Sequence, residues 1–166
     1  MIQCEHTIDI ARAPAEVFAF IDDSRRMPEW ITSCVAVEQT SPAPRRVGST
    51  LHYTFKQCAR PGTMDGTVTE YQPPRRLAMR FGDSGFTVTV AFRVEPAGGG
   101  ARVTQSLQIE PRTFFGRLMT PLIRAGTRRQ VAGDNAKLKA LLSPAPAPPT
   151  VSPSPTTAIT RQGDRT

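Results

Sequence analysis

The sequence predicts an α+β domain in which a curved antiparallel sheet of about seven strands, two short helices and a long C-terminal helix enclose a cavity. Three observations carry that prediction. An alternating strand at residues 2–10 leads into a proline-opened helix and a second short helical segment, Met27-Pro28-Glu29-Trp30, which holds the only tryptophan. Most of the stretch from Val35 to Ile109 then repeats with period two, the repeat of a half-buried strand, between turn-forming clusters. After Pro111 the apolar spacing changes to that of a helix.

Each element has a local cause. In the first strand Ile2, Cys4, His6, Ile8 and Ile10 share one face, while Gln3, Glu5, Thr7 and Asp9 share the other. Pro14 suits the first helical position, where a missing N–H costs nothing. Val17, Phe18 and Ile21 follow at helical spacing as a buried stripe. Pro28 sets the second short helix, which ends near Ile31. Val35-Ala36-Val37-Glu38 returns to strand, and Ser41-Pro42-Ala43-Pro44 turns the chain. Leu51, Tyr53 and Phe55 form the inner face of the next strand. Residues 63–71 make another, closed by Gln72-Pro73-Pro74. Leu77, Met79 and Phe81 precede a hairpin turn at Asp83-Ser84-Gly85. Phe86, Val88, Val90, Phe92 and Val94 continue the inward set up to a flexible turn over residues 96–100. Val103, Gln105, Leu107 and Ile109 complete it.

Phe114, Phe115, Leu118, Met119, Leu122 and Ile123, extended by Leu138, Leu141 and Leu142, predict an amphipathic helix of about 25 to 30 residues. Pro121 should kink it or delay its regular start, and Gly116, Gly126 and Gly133 weaken it. Residues 143–166 hold six prolines from Pro144 to Pro155 among Ala, Ser and Thr. Such a stretch cannot bury enough surface to offset its ordering entropy. The expected organisation is a domain over residues 1–142 and a disordered tail over 143–166.

Composition narrows the function classes. The 166 residues are 39% hydrophobic and 21% charged. No apolar run approaches the roughly 20 residues of a membrane span, and residues 1–6 lack the pattern of a secretory signal. A cytoplasmic protein is expected. Cys4, Cys34 and Cys58 form no CxxC pair, and His6 and His52 lie far apart, so neither a disulfide framework nor a metal site is expected. No nucleophile elbow, P-loop or dinucleotide fingerprint occurs, and no cofactor is expected. The net charge of +7 is dispersed, with one concentration along Arg112, Arg117, Arg124, Arg128, Arg129, Lys137 and Lys139. It is not interleaved with aromatics, so a nucleic-acid partner is not expected.

The stretch Ile10-Ala11-Arg12-Ala13-Pro14-Ala15-Glu16-Val17-Phe18, Trp30, the segment Tyr71-Gln72-Pro73-Pro74-Arg75-Arg76-Leu77, and Glu95-Pro96 with the glycine turn before Ala101-Arg102-Val103-Thr104 together resemble the helix-grip fold. More closely, they resemble its START-like polyketide cyclase/dehydrase and lipid-transport superfamily (SRPBCC). The resemblance covers nearly all of residues 1–142. It consists of turns and packing positions rather than chemical groups. It implies a sheet bent around the long helix and a cavity for a hydrophobic or aromatic small molecule such as a lipid, quinone or polyketide-like compound. The inward rows agree independently, being apolar with a few polar interruptions. Expected ligand contacts are Tyr53 and Phe55, then Leu77, Met79 and Phe81, then Val88, Val90 and Phe92. Gln105 and Leu107 follow, with Phe115, Leu118, Met119 and Leu122 on a helix whose start would act as a lid.

The candidates for chemistry are few. His6 lies on the apolar face of the first strand. In this fold that strand pairs with the last, which places His6 near Gln105, either as a polar pair able to serve a carbonyl or phenol or as a satisfied, partly buried histidine. Glu70 shares a side with Val68 by strict alternation. It is a carboxylate for acid–base work if it faces the cavity, and a rim residue paired with an arginine such as Arg80 if it does not. Tyr53 either orients a ligand or packs, and Trp30 reads as a core plug. Three functions stay open: a carrier or sequestering protein, a polyketide cyclase, aromatase or dehydrase, and a membrane-surface or protein-interaction module using the basic helix. Monomer and homodimer are both compatible with the sequence.

Overall fold

The structure, a computed structural model, describes residues 1–56, 61–112 and 120–143, with side chains of 120–124 left aside. The strands are β1 (Ile2–Ile10), β2 (Cys34–Gln39), β3 (Thr50–Phe55), β4 (Gly62–Gln72), β5 (Arg76–Gly82), β6 (Phe86–Ala97) and β7 (Gly100–Pro111). They form one antiparallel sheet in the order β1-β7-β6-β5-β4-β3-β2. Helices α1 (Pro14–Asp22) and α2 (Met27–Trp30) cross from one sheet edge to the other, and α3 (Thr120–Leu142) follows the last strand. This is the helix-grip arrangement. None of the described helices is long and apolar enough to cross a membrane.

Local chemistry explains the joints. Asp83 Oδ1 accepts from the N–H groups of Gly85 and Phe86, at 2.7 and 2.8 Å, closing the β5–β6 hairpin as an Asx turn. The glycine turn is tighter than expected. β6 runs through Pro96 to Ala97, and only Gly98 and Gly99, with φ of 53° and 81°, form the loop. Two consecutive positive φ angles match the twist of a two-residue hairpin, and glycine adopts them without a Cβ penalty. At Gly100 the backbone of Ile10 leaves no room for a side chain.

Antiparallel partners share a face, so the register sorts the concave side into rows. One row holds Tyr71, Leu77, Phe92, Gln105 and His6. The next holds Val68, Met79, Val90, Leu107 and Cys4, and the third Gly66, Phe81, Val88, Ile109 and Ile2. The β4–β5 register shifts between Val68 and Glu70. That bulge inserts one residue and inverts the alternation beyond it. Tyr71 therefore continues the inner row, and the expectation that Glu70 follows Val68 inward is corrected. Glu70 accepts from Arg76 Nη1 at 3.1 Å, and not from Arg80.

The helices cover only part of this face. α1 buries Val17, Phe18, Phe20 and Ile21, and Phe18 meets the Tyr71 ring at 6.3 Å. Trp30 is fully buried and meets Phe92 edge-on at 5.6 Å. Around them Ile10, Leu77, Val94, Ala101, Val103 and Leu138 make a packed core. α3 packs on β1 and α2, and Arg12 Nε donates to Leu142 O at 3.1 Å to hold its C-terminal end. Leu138 and Leu142 face inward as expected, whereas Leu141 is turned to solvent. Arg45 holds the β2–β3 connection on α1, donating to Asp22 O at 2.7 Å, while Tyr71 donates to Asp22 Oδ2 at 2.8 Å. The Pro-rich segment from Pro144 onward lies outside the described residues.

Candidate ligand-binding cavity

Where the core stops, the second and third rows face an internal cavity of about 220 Å³. The sheet contributes Tyr53, Phe55, Met79, Phe81, Val88, Val90, Phe92, Gln105 and Leu107 to its wall, together with Met64 and Ile109. Met27, Ile31, Ser33 and Val37 close one side, and Thr127, Gln130, Val131 and Asp134 of α3 close another. Its volume lies below the roughly 300–1,000 Å³ of common small-molecule sites. That suits a one- or two-ring compound or a short chain. A wider hollow of about 660 Å³ runs past Thr50, Thr67, Arg80 and Arg112. It is more open to solvent and more polar, so the smaller, more sheltered cavity is the better ligand site.

Of the residues expected to touch a ligand, Leu77 is the one that the described structure places elsewhere. It pairs with Tyr71 across the β4–β5 ladder and is fully buried in the core rather than exposed to the cavity. Phe115, Leu118 and Met119, and with them the proposed lid, lie outside the described residues, as does the side chain of Leu122. His6 does stand opposite Gln105 in the β1–β7 ladder, but it is not in the cavity wall. Gln105 is paired instead with Asn135, whose Nδ2 donates to its Oε1 at 2.7 Å. Glu70 lies outside the cavity for the reason of the bulge.

The α3 wall was not foreseen. Thr127, Val131, Asp134, Leu138 and Leu142 recur at helical spacing, which is a detectable signal, but two of the five are polar and break an apolar stripe. The structure shows what those polar groups do. Asp134, almost wholly buried, accepts at Oδ1 from Thr32 N–H at 2.8 Å and from Thr32 Oγ1–H at 2.6 Å. Lys137 Nζ donates to the same Thr32 Oγ1 at 2.8 Å. Gln130 Nε2 donates to Ser33 Oγ at 2.8 Å, and that oxygen lies 3.2 Å from the Tyr53 hydroxyl. These bonds fasten α3 to the Thr32–Ser33 turn along one rim of the cavity.

Tyr53 is the aromatic centre of the wall, stacked on Phe55 at 5.8 Å and tilted against Phe81 at 5.3 Å. Gly66 makes the Phe81 position available, because the ring occupies the place of its absent Cβ. Burial pushes the Tyr53 hydroxyl up to about 12, with Asp134 and Cys34 adding to the rise. Burial likewise pushes the Cys34 thiol up to about 11. A raised folded pKa means that Tyr53 contributes its full stabilisation below the unfolded value near 10 and loses it as pH rises through about 12. In a spectrophotometric titration Tyr53→Phe should remove the late tyrosinate signal. It should also lessen the fall in stability between those two pH values. Loss instead of a component titrating near the ordinary value of about 10 would contradict this placement.

A seven-stranded sheet gripping a long helix, with a largely apolar cavity between them, defines a helix-grip domain. The chain belongs to the polyketide cyclase/dehydrase and lipid transport family, which it matches over residues 1–143. It is 30% identical over 135 residues to an uncharacterized protein of Mycobacterium tuberculosis, covering 75% of this chain and 77% of that protein. By fold it is similar to a START superfamily protein from Mycobacterium smegmatis, with a TM-score of 0.70, 12% identity, and coverage of 84% of this chain and 96% of that one. It is also similar to the Zhui aromatase/cyclase from Streptomyces sp. R1128, with a TM-score of 0.70, 12% identity, and coverage of 84% and 92%. At such identities the two structures establish a shared fold alone.

Proposed function

We propose that this protein binds a hydrophobic or aromatic small molecule in the internal cavity and carries or sequesters it. The observation that carries this reading is the cavity wall itself: a mostly apolar surface of Met, Phe, Val, Leu and Ile side chains with a few polar groups from Ser33, Tyr53, Gln105 and α3. Acid–base chemistry on a polyketide-like substrate, the cyclase reading, needs a base and donors converging on one reacting centre. Among the described residues the titratable wall groups are Tyr53 and Asp134. Burial holds Tyr53 in its protonated form, and Asp134 is engaged by Thr32. His6 and Glu70 stand outside the wall. The small volume also favours a compact ligand over a fused multi-ring product.

The test is native mass spectrometry of the purified protein, then identification of any compound released on denaturation. A stoichiometric apolar compound recovered unchanged after incubation supports the carrier. Conversion of that compound by the protein would replace it with the enzyme reading. A protein that arrives empty and also fails to bind apolar fluorescent probes would sink both.

A further inference from the structure

The cavity has one feature that general apolar binding does not require. Asp134 is 2% exposed and belongs to the wall. Both hydrogen bonds that it accepts from Thr32 end on Oδ1. Oδ2 has no hydrogen-bond partner, and the carboxylate has no ion-pair partner, among the described residues. No lysine or arginine lines the cavity among those residues. Lys137, on the same network, donates to Thr32 and forms no ion pair with Asp134. Gln105 presents the complementary case. Its Oε1 is taken by Asn135, while its Nε2 has no partner among the described residues and the residue faces the same cavity.

Resting on the binding function proposed above, we infer that the ligand is neutral and carries a hydroxyl group, as a phenol or an alcohol does. An acceptor that opens on the cavity loses its water when a ligand enters, which costs free energy unless the ligand supplies a donor in its place. A hydroxyl is the smallest group that both donates, as Asp134 requires, and accepts, as the Gln105 amide requires. Carboxylate and phosphate ligands are disfavoured twice. They bring a second negative charge beside Asp134, and no lysine or arginine of the described wall offsets their desolvation, Lys137 being taken by Thr32. Free fatty acids and anionic lipid headgroups are thus the wrong chemistry for this cavity. A ring or short chain ending in a hydroxyl is the right one.

The experiment is displacement of an apolar fluorescent probe from the full chain by 2-naphthol, naphthalene and 2-naphthoate at neutral pH. The 1-octanol and octanoate pair repeats the contrast on an open chain, and the tighter of the two alcohols distinguishes a ring ligand from an acyl one. A hydrogen bond to a buried charged group predicts that 2-naphthol binds about tenfold or more tightly than either naphthalene or 2-naphthoate. Asp134→Asn, which keeps an acceptor for Thr32, should bring naphthol and naphthoate to within about threefold of each other. If the variant does not fold, the ranking on the natural chain decides alone. Carboxylates binding as well as the alcohols would overturn this inference while leaving the cavity reading intact. Failure of every compound and of the probe would instead overturn the binding function.

Discussion

Trp30→Ala should destabilise the protein by about 3 kcal/mol, at the low end of the range for truncating a buried aromatic residue. Trp30 is fully buried at the end of α2 and packs edge-on against Phe92. Its loss would leave a void between α2 and the first concave row, which the surrounding helices and strands can only partly refill. One effect opposes this. The indole N–H is buried with no partner among the described residues, and removing an unpaired donor returns about 1–3 kcal/mol. The ring's burial and packing exceed that return, so the net sign is destabilising. Trp30→Phe separates the two effects, since it keeps most of the ring and drops the donor. It should stay within about 1.5 kcal/mol of the natural chain. Urea unfolding followed by circular dichroism measures both, because Trp30 is the only tryptophan. A loss under about 1 kcal/mol for the alanine variant would show that Trp30 is not the plug between helix and sheet.

Val90→Trp should abolish ligand binding while leaving the fold in place. Val90 sits mid-row between Met79 and Leu107, and all three line the cavity. An indole there points into about 220 Å³ of space rather than into packed atoms. Overpacking of a filled core costs about 1–3 kcal/mol, and the void should keep this substitution at the low end. Probe affinity should fall by about a hundredfold or more, a change worth roughly 2.7 kcal/mol. The control is the same substitution at Val94, which is fully buried in the packed part of the core. There the indole has no space, and loss of stability should precede any selective loss of binding. If Val90→Trp bound the probe normally, the ligand would have to sit elsewhere, and the solvent-open hollow beside Arg80 would be the next place to look.

Glu70 and Asp134 mark where sequence and structure part. Glu70 falls on the inner side by counting from Val68, and counting is sound only while the strand pairs without interruption. The bulge that turns Glu70 outward is a mismatch in the β4–β5 pairing, and nothing within β4 alone announces it. Asp134 fails in the opposite direction. A carboxylate on an otherwise amphipathic helix reads as solvent-facing, yet Thr32, a hundred residues earlier in the chain, supplies both donors that let it be buried. His6 stands opposite Gln105 as strand pairing predicts, but the inner face of an edge strand extends beyond the cavity, and α3 packs against β1.

The amino-acid sequence by itself determined the order of elements, the hairpin succession and most of the sheet's contribution to the cavity wall. These follow from periods of two and of 3.6 and from turn residues, which are properties of neighbours along the chain. Only the tertiary structure decided that Leu77 belongs to the core, that Tyr71 rather than Glu70 faces inward, and that α3 brings Thr127, Gln130 and Asp134 to the cavity rim. Each of those outcomes depends on which surface covers a residue and which distant group satisfies its hydrogen bonds. Period and propensity carry no record of either.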